Sequence, residues 1–203
     1  MYLQSILRYF KIIDAFLFHT NKGPYGNDEI RCFVLSHLSS LKVTNISCIL
    51  CACDLIVYDR FPLIDGILFI SPVDYDTHKS VPTPMSNKNQ YMYAICLDCL
   101  NAKENHEIKC KYCDETWQNR VCFALQIGTL YKYDVVAAFP CCEYRLSCNT
   151  CMKPIIDLDT SKSKHFSSYS QEIECPHCKN IAFHFIKPLR CIYQQTACEK
   201  QEK

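Results

Sequence analysis

Cysteine pairs dominate the chemistry open to this sequence. Cys48/Cys51, Cys96/Cys99, Cys110/Cys113, Cys148/Cys151 and Cys175/Cys178 make five C-x-x-C pairs in 203 residues. That spacing lets a tight turn aim both thiolates at one ion. Two such turns complete the tetrahedral four-sulfur shell that Zn²⁺ accepts. Cys148, Cys151, Cys175 and Cys178, with 23 residues between the pairs, suit a zinc ribbon. Cys96, Cys99, Cys110 and Cys113 can close a site in the same way across a ten-residue hairpin that contains His106. Cys48 and Cys51 then need two partners from His106, Cys141 and Cys142. A crossed arrangement, with Cys48/Cys51 sharing an ion with Cys110/Cys113, is equally open. Eleven cysteines, counting one of Cys141 and Cys142, plus His106 give twelve ligands, which is three zinc ions at four per structural site.

The cysteine total, 17, is odd, the residues cluster in metal spacing, and no clean secretory signal precedes them. These features point to a reducing compartment and metal rather than disulfides. Cys32, Cys53, Cys122, Cys191 and Cys198 are expected to be free thiols. His177 is expected at the surface, where it can donate to a ligand sulfur.

Catalytic zinc keeps an open position and uses His or carboxylate ligands, whereas a four-thiolate shell is closed and a poor Lewis acid. No H-E-x-x-H, deaminase H-x-E with P-C-x-x-C, G-x-S-x-G or P-loop occurs. With four glycines, phosphate-cradling loops are not expected. The chain therefore reads as a non-enzyme. A net charge of +1 lacks the basic excess that phosphate neutralisation demands of a general nucleic-acid binder.

The elements that position these residues follow from periodicity. Leu3, Ile6, Leu7, Phe10, Ile13 and Leu17 have helical spacing, and Arg8, Lys11 and Asp14 interrupt any apolar span long enough to cross a bilayer. A second helix is expected after an Asn27 cap, with Ile30, Phe33, Val34, His37, Leu38 and Leu41 facing inward. Strands are expected at 55–58, turning at Asp65-Gly66 into 67–70, and again at 91–95, 121–127 and 181–186. The stretch 129–139 starts as strand and ends as a helical turn. Residues 71–90, with Pro72, Pro82 and Pro84, and residues 157–170 read as loops. The expected fold is a small zinc-stabilised α+β structure. It comprises a helical segment (1–44), a zinc-binding β-rich module (45–145), a zinc-ribbon-like module (146–190) and a polar tail (191–203). Its β-hairpins are joined by zinc knuckles in treble-clef or ribbon fashion.

Longer motifs carry a family resemblance. They are Cys48-Ile49-Leu50-Cys51, Arg60-Phe61-Pro62-Leu63-Ile64-Asp65-Gly66, Leu68-Phe69-Ile70-Ser71-Pro72 and Tyr93-Ala94-Ile95-Cys96-Leu97-Asp98-Cys99-Leu100. His106, Cys110/Cys113, Trp117, Gly128-Thr129-Leu130-Tyr131-Lys132-Tyr133-Asp134 and Ala137-Ala138-Phe139-Pro140-Cys141-Cys142 follow. Cys148/Cys151, Phe166-Ser167-Ser168-Tyr169-Ser170, Cys175-Pro176-His177-Cys178 and His184-Phe185-Ile186-Lys187-Pro188 complete the set. Over residues 30–188 the chain resembles the C-terminal cysteine-rich part of the headcase family. The resemblance implies a non-enzymatic adaptor in growth control and differentiation, cytoplasmic or also nuclear. It would work with an Unkempt-like zinc-finger protein and meet RNA through that partner. Family members are longer, so a fragment, short isoform or reduced paralogue is expected. Two other classes compete with a zinc-stabilised interaction module. One is a RING-like ubiquitin-ligase module with crossed sites; the other is a single-stranded RNA binder stacking bases on exposed Tyr and Phe.

Overall fold

Two continuous apolar runs, Gly66–Ser71 and Tyr91–Cys96, form the central strands, and all but Tyr91 of their residues are buried. A strand covered on both faces reads as unbroken hydrophobic sequence rather than as alternation. The computed structural model describes residues 28–58, 63–85, 87–103, 107–118, 125–161 and 164–195. The expectations for the first helix, the Asn27 cap, His106, Cys122 and Cys198 lie outside these residues.

The element order is α1 (Asp28–Ser40), β1 (Asn45–Ser47), β2 (Asp54–Ile56), β3 (Gly66–Ser71), β4 (Val81–Pro82), β5 (Tyr91–Cys96), α2 (Leu97–Leu100), β6 (Ile108–Cys110), β7 (Leu130–Tyr131) and α3 (Val135–Ala138). A 3₁₀ turn (Glu143–Leu146), α4 (Leu158–Ser161), a second 3₁₀ turn (Phe166–Ser170), β8 (Ile173–Glu174), β9 (Ile181–Ala182), α5 (Leu189–Ile192) and β10 (Tyr193–Gln195) follow. The fold is a small α+β structure. The main sheet runs β4-β5-β3-β7, with β3 antiparallel to β5 and parallel to β7. Three two-stranded pieces, β1-β2, β6-β10 and β8-β9, surround it. One hydrophobic core extends from Val34 to Tyr193.

Several expectations change. The Asp65-Gly66 turn does not make a hairpin of 55–58 and 67–70. β2 pairs with β1 across the first cysteine knuckle, and β3 pairs with β5 instead. Gly66 serves close approach: a Cβ there would meet the Ile95 carbonyl oxygen at 2.1 Å. The 71–90 loop contributes the edge strand β4, and its Val81, Thr83 and Met85 are buried. Pro82 is tolerated because that strand is an edge. Residues 125–127 are not strand, and the expected strand at 181–186 shrinks to β9. The 157–170 loop folds into short helical turns that bury Tyr169, whose hydroxyl donates to the Ser161 carbonyl at 2.8 Å. Residues 193–195, placed in the tail, pair with β6, and Ile192 and Tyr193 are buried.

In α1, Val34 and Leu38 are buried, and Ile30 and Phe33 pack against the core. Leu41 is exposed because the helix has ended and Lys42 turns the chain with φ 57°. His37 fixes α1 to the sheet, its Nε2–H donating to the Pro82 carbonyl at 2.8 Å. Asp134 caps α3 by accepting from the Ala137 N–H at 2.8 Å. Its other oxygen accepts from the Tyr75 hydroxyl at 2.8 Å. Among the described residues no helix is long and apolar enough to cross a membrane.

Candidate metal centres

Four of the C-x-x-C pairs share one backbone turn. The first cysteine N–H donates to the carbonyl five residues on: Cys48 to Cys53 at 2.8 Å, Cys110 to Glu115 at 3.0 Å, Cys148 to Lys153 at 2.9 Å and Cys175 to Asn180 at 2.9 Å. The residue after the second cysteine donates back to the first, and it is left-handed each time: Ala52 at φ 62°, Asp114 at 55°, Met152 at 60° and Lys179 at 62°. A non-glycine residue in that region costs about 1 kcal/mol or more. The turns gather both sulfurs of each pair on one side. Cys96/Cys99 differs because it opens a helix. Cys96 caps α2, and its sulfur accepts from the Cys99 N–H at 3.4 Å.

Tertiary pairing then builds three clusters. The first knuckle lies against the end of β5, with the Ile49 N–H donating to the Ala94 carbonyl at 2.9 Å and the Cys96 N–H to the Cys48 sulfur at 3.4 Å. Cys48, Cys51, Cys53 and Cys96 have sulfurs within 4.8 Å of one another, and Cys99 lies 4.0 Å from Cys48. The second cluster is Cys110, Cys113, Cys141 and Cys142; the third is Cys148, Cys151, Cys175 and Cys178.

Metal fit can be tested against one length. A regular tetrahedron with Zn–S of about 2.3 Å has sulfurs about 3.8 Å apart. The sulfur separations are 3.6 Å for Cys51–Cys96, 4.0 Å for Cys48–Cys99, 3.9 Å for Cys110–Cys142, 3.7 Å for Cys148–Cys178 and 3.7 Å for Cys151–Cys175. A disulfide needs about 2.05 Å. The three clusters can each hold a metal ion, and their donor sets are all sulfur.

The pairing differs from the expected local closure. Cys96/Cys99 join Cys48/Cys51, not Cys110/Cys113, and the Cys48/Cys51 with Cys110/Cys113 crossing does not occur. The first two clusters follow each other along the chain, so the interleaving of a RING-type cross-brace is absent from them. Both Cys141 and Cys142 enter the second cluster. One of the two was expected there, because with His106 a count of twelve ligands needed only one. Cys142, in extended backbone, opens the 3₁₀ turn Glu143–Leu146. Cys53, expected to be free, belongs to the first cluster. Cys32 and Cys191 are exposed, outside any cluster.

Thiol neighbours set the electrostatics. Hydrogen bonds from Cys48 and then Cys99 hold Cys96 down to about 4. A hydrogen bond from Cys141 holds Cys142 down to about 5. Its hydrogen bond to Cys48, with burial second, pushes Cys51 up to about 12. The first cluster thus contains both a thiol held low and one that must lose a proton to bind metal.

Positioning residues surround the clusters that spacing alone could not identify. His184, fully buried, accepts from the Asn149 N–H at 3.3 Å through Nδ1 and donates from Nε2 to the Asn180 carbonyl at 3.0 Å, joining the two knuckles of the third cluster. Buried Lys187 donates to the Ser147 carbonyl at 2.8 Å and to Asn149 Oδ1 at 2.7 Å. Buried Arg145 donates to the Tyr193 hydroxyl at 2.7 Å and to the Val136 carbonyl. A divalent ion in four thiolates carries net negative charge, and these cations sit beside the second and third clusters in the chain. Desolvation draws Lys187 down to about 8, with Arg145 adding to the effect. His177 donates to the Pro154 carbonyl at 3.0 Å rather than to a sulfur.

The family described as Headcase protein matches residues 11–189. The chain is 35% identical over 181 residues to the Headcase protein of Drosophila melanogaster, covering 89% of this chain and 16% of that protein. It is 40% identical over 162 residues to the Headcase protein homolog of Homo sapiens, covering 79% of this chain and 29% of that protein. The chain therefore spans less than a third of the length of either relative. No solved structure matches.

Proposed function

The chain belongs to the Headcase family, and from that membership and its three sulfur clusters we propose that it is a zinc-stabilised protein-interaction module of an adaptor, without catalytic activity of its own. Tetrahedral four-sulfur shells suit zinc or iron, and zinc needs no redox partner. The first centre uses Cys48, Cys51, Cys96 and Cys99, a knuckle and a helix start in treble-clef fashion. The second uses Cys110, Cys113, Cys141 and Cys142. The third uses Cys148, Cys151, Cys175 and Cys178 in ribbon fashion. Bound zinc would lock the turns; every other job here falls to the chain's own residues.

The observation that carries the interaction reading is a cleft of about 850 Å³ between the first and third clusters. Ile49, Leu50, Val73, Phe183, Ile186 and Leu189 line it, with Asp74 and Lys79 among its charged residues. Apolar walls with a few convergent charges make a ligand-binding cleft, and a peptide segment of the partner is the occupant proposed. The partner proposed is an Unkempt-like zinc-finger protein, with growth control and differentiation as the setting and the cytoplasm as the place. The test is binding of the purified chain to that protein. Leu50→Asp and Phe183→Asp should weaken it at unchanged metal content, and a strong chelator should abolish it. No binding by the metal-loaded chain, or binding indifferent to both substitutions, contradicts the reading.

A further inference from the structure

The first cluster holds one sulfur more than a tetrahedral ion can use. Cys51–Cys96 at 3.6 Å and Cys48–Cys99 at 4.0 Å stand at tetrahedral edge length, and Cys53 Sγ is within 4.8 Å of the sulfurs of Cys48, Cys51 and Cys96. The second and third clusters have four cysteines each and no fifth among the described residues. Exposure separates the five thiols as well. Cys48, Cys96 and Cys99 are buried, Cys51 is half-buried and Cys53 is exposed. The surplus thiol is therefore the one an oxidant reaches first.

We propose that Cys53 is a modification site for hydroperoxides, and that its oxidation opens the first metal centre while leaving the other two closed. The proposal rests on the first cluster holding a metal ion. The Cys53 sulfur attacks the outer peroxide oxygen. The O–O bond breaks, the alcohol or water leaves with the thiol's proton, and Cys53 becomes a sulfenic acid. A ligand thiolate then attacks the sulfenic sulfur and displaces hydroxide, which leaves as water after taking up a proton. Cys51 is the accessible ligand. Two sulfurs have given one electron each, and the peroxide has taken both. The centre keeps three sulfurs and its ion is released. Exposed Cys32 and Cys191 have no such neighbours, so their oxidation stops short of a cluster disulfide. In the second and third centres the exposed cysteines, Cys113 and Cys178, are themselves ligands, and among the described residues no spare thiol stands beside them.

Cys53→Ser isolates the side chain from the fold. The knuckle uses only the Cys53 carbonyl, which accepts from the Cys48 N–H at 2.8 Å. The metal-loaded full chain and its Cys53→Ser variant are treated with graded hydrogen peroxide. Released metal is followed with a chromogenic chelator, and disulfides are mapped by mass spectrometry. The wild-type chain should lose one metal equivalent first, with Cys53 joined to a sulfur of its own centre. Cys53→Ser should bind the same metal before oxidant and not release that early equivalent. Loss of an equivalent from Cys53→Ser before any oxidant would make Cys53 a ligand and overturn the proposal. An unchanged release in the variant, or a first disulfide inside the second or third centre, would overturn it too. A wild-type chain with no metal in the first cluster overturns both this proposal and the metal reading beneath it.

Discussion

Cys175→Ser should open one segment of the chain and leave the rest closed. From 171 to 182 the only buried residue is Cys175, and Ile181 is 63% exposed. β8 and β9 offer two paired residues each, Ile173 with Ala182 and Glu174 with Ile181. A hairpin of that length is not stable in water without packing. Of its paired residues only Ile173 packs against the core, so most of its stability must come from the third cluster. Structural zinc supplies roughly 10–16 kcal/mol of apparent binding free energy coupled to folding. A whole domain has only about 5–15 kcal/mol in hand. Serine is a poor zinc ligand, and losing one thiolate forfeits enough of the metal term to release the hairpin. The assay is limited trypsin digestion with metal analysis. Cys175→Ser should lose one equivalent and be cut after Lys179, which is exposed in the knuckle. Cys191→Ser, at an exposed cysteine outside every cluster, should keep its metal and show no new cut. Full metal content and a protected Lys179 in Cys175→Ser would refute the reasoning.

Three further outcomes are expected. Lys187→Met should cost roughly 1–3 kcal/mol in denaturant unfolding, the penalty for leaving a buried partner unsatisfied, since the Ser147 carbonyl and Asn149 Oδ1 lose their donor; unchanged unfolding would count against its role. Gly66→Ala should destabilise by about 1–3 kcal/mol or more through overpacking against the Ile95 carbonyl, and a variant with the parent melting temperature would contradict the β3-β5 approach. Metal loading at pH 7 should release protons, because Cys51 at about 12 is protonated in the metal-free chain and must deprotonate to bind. Affinity should therefore rise with pH above 7 and fall on acidification; titration calorimetry in buffers of different ionisation enthalpy reads the proton count, and a buffer-independent heat would contradict it.

The turns were legible in the sequence and their partners were not. C-x-x-C spacing is local, so all five pairs could be placed from residue types, although Cys96/Cys99 was read as a knuckle and opens a helix instead. Which pairs share a cluster depends on β3-β5 pairing and on the Ile49–Ala94 contact, which brings Cys51 to Cys96 across 45 residues while Cys99 and Cys110, close in sequence, separate. The second cluster joins Cys110/Cys113 to Cys141 and Cys142 across some 30 residues, a partnership that no local spacing encodes. Cys53 stood in C-x-x-C-x-C, and the surplus cysteine two residues beyond a knuckle was the signal available. The 71–90 stretch looked like a loop because its prolines and polar residues mask an edge strand of two residues, Val81 and Pro82. Buried Lys187 and His184 carry no spacing signature, since their partners are backbone groups brought together by the third cluster.

Each of the three sulfur clusters should close on one zinc ion. Native mass spectrometry of the purified, reduced chain, with elemental analysis of the same sample, tests it most directly. Three clusters predict three zinc ions per chain and no disulfide. One ion or none, or intact disulfides among the clustered cysteines, would contradict it.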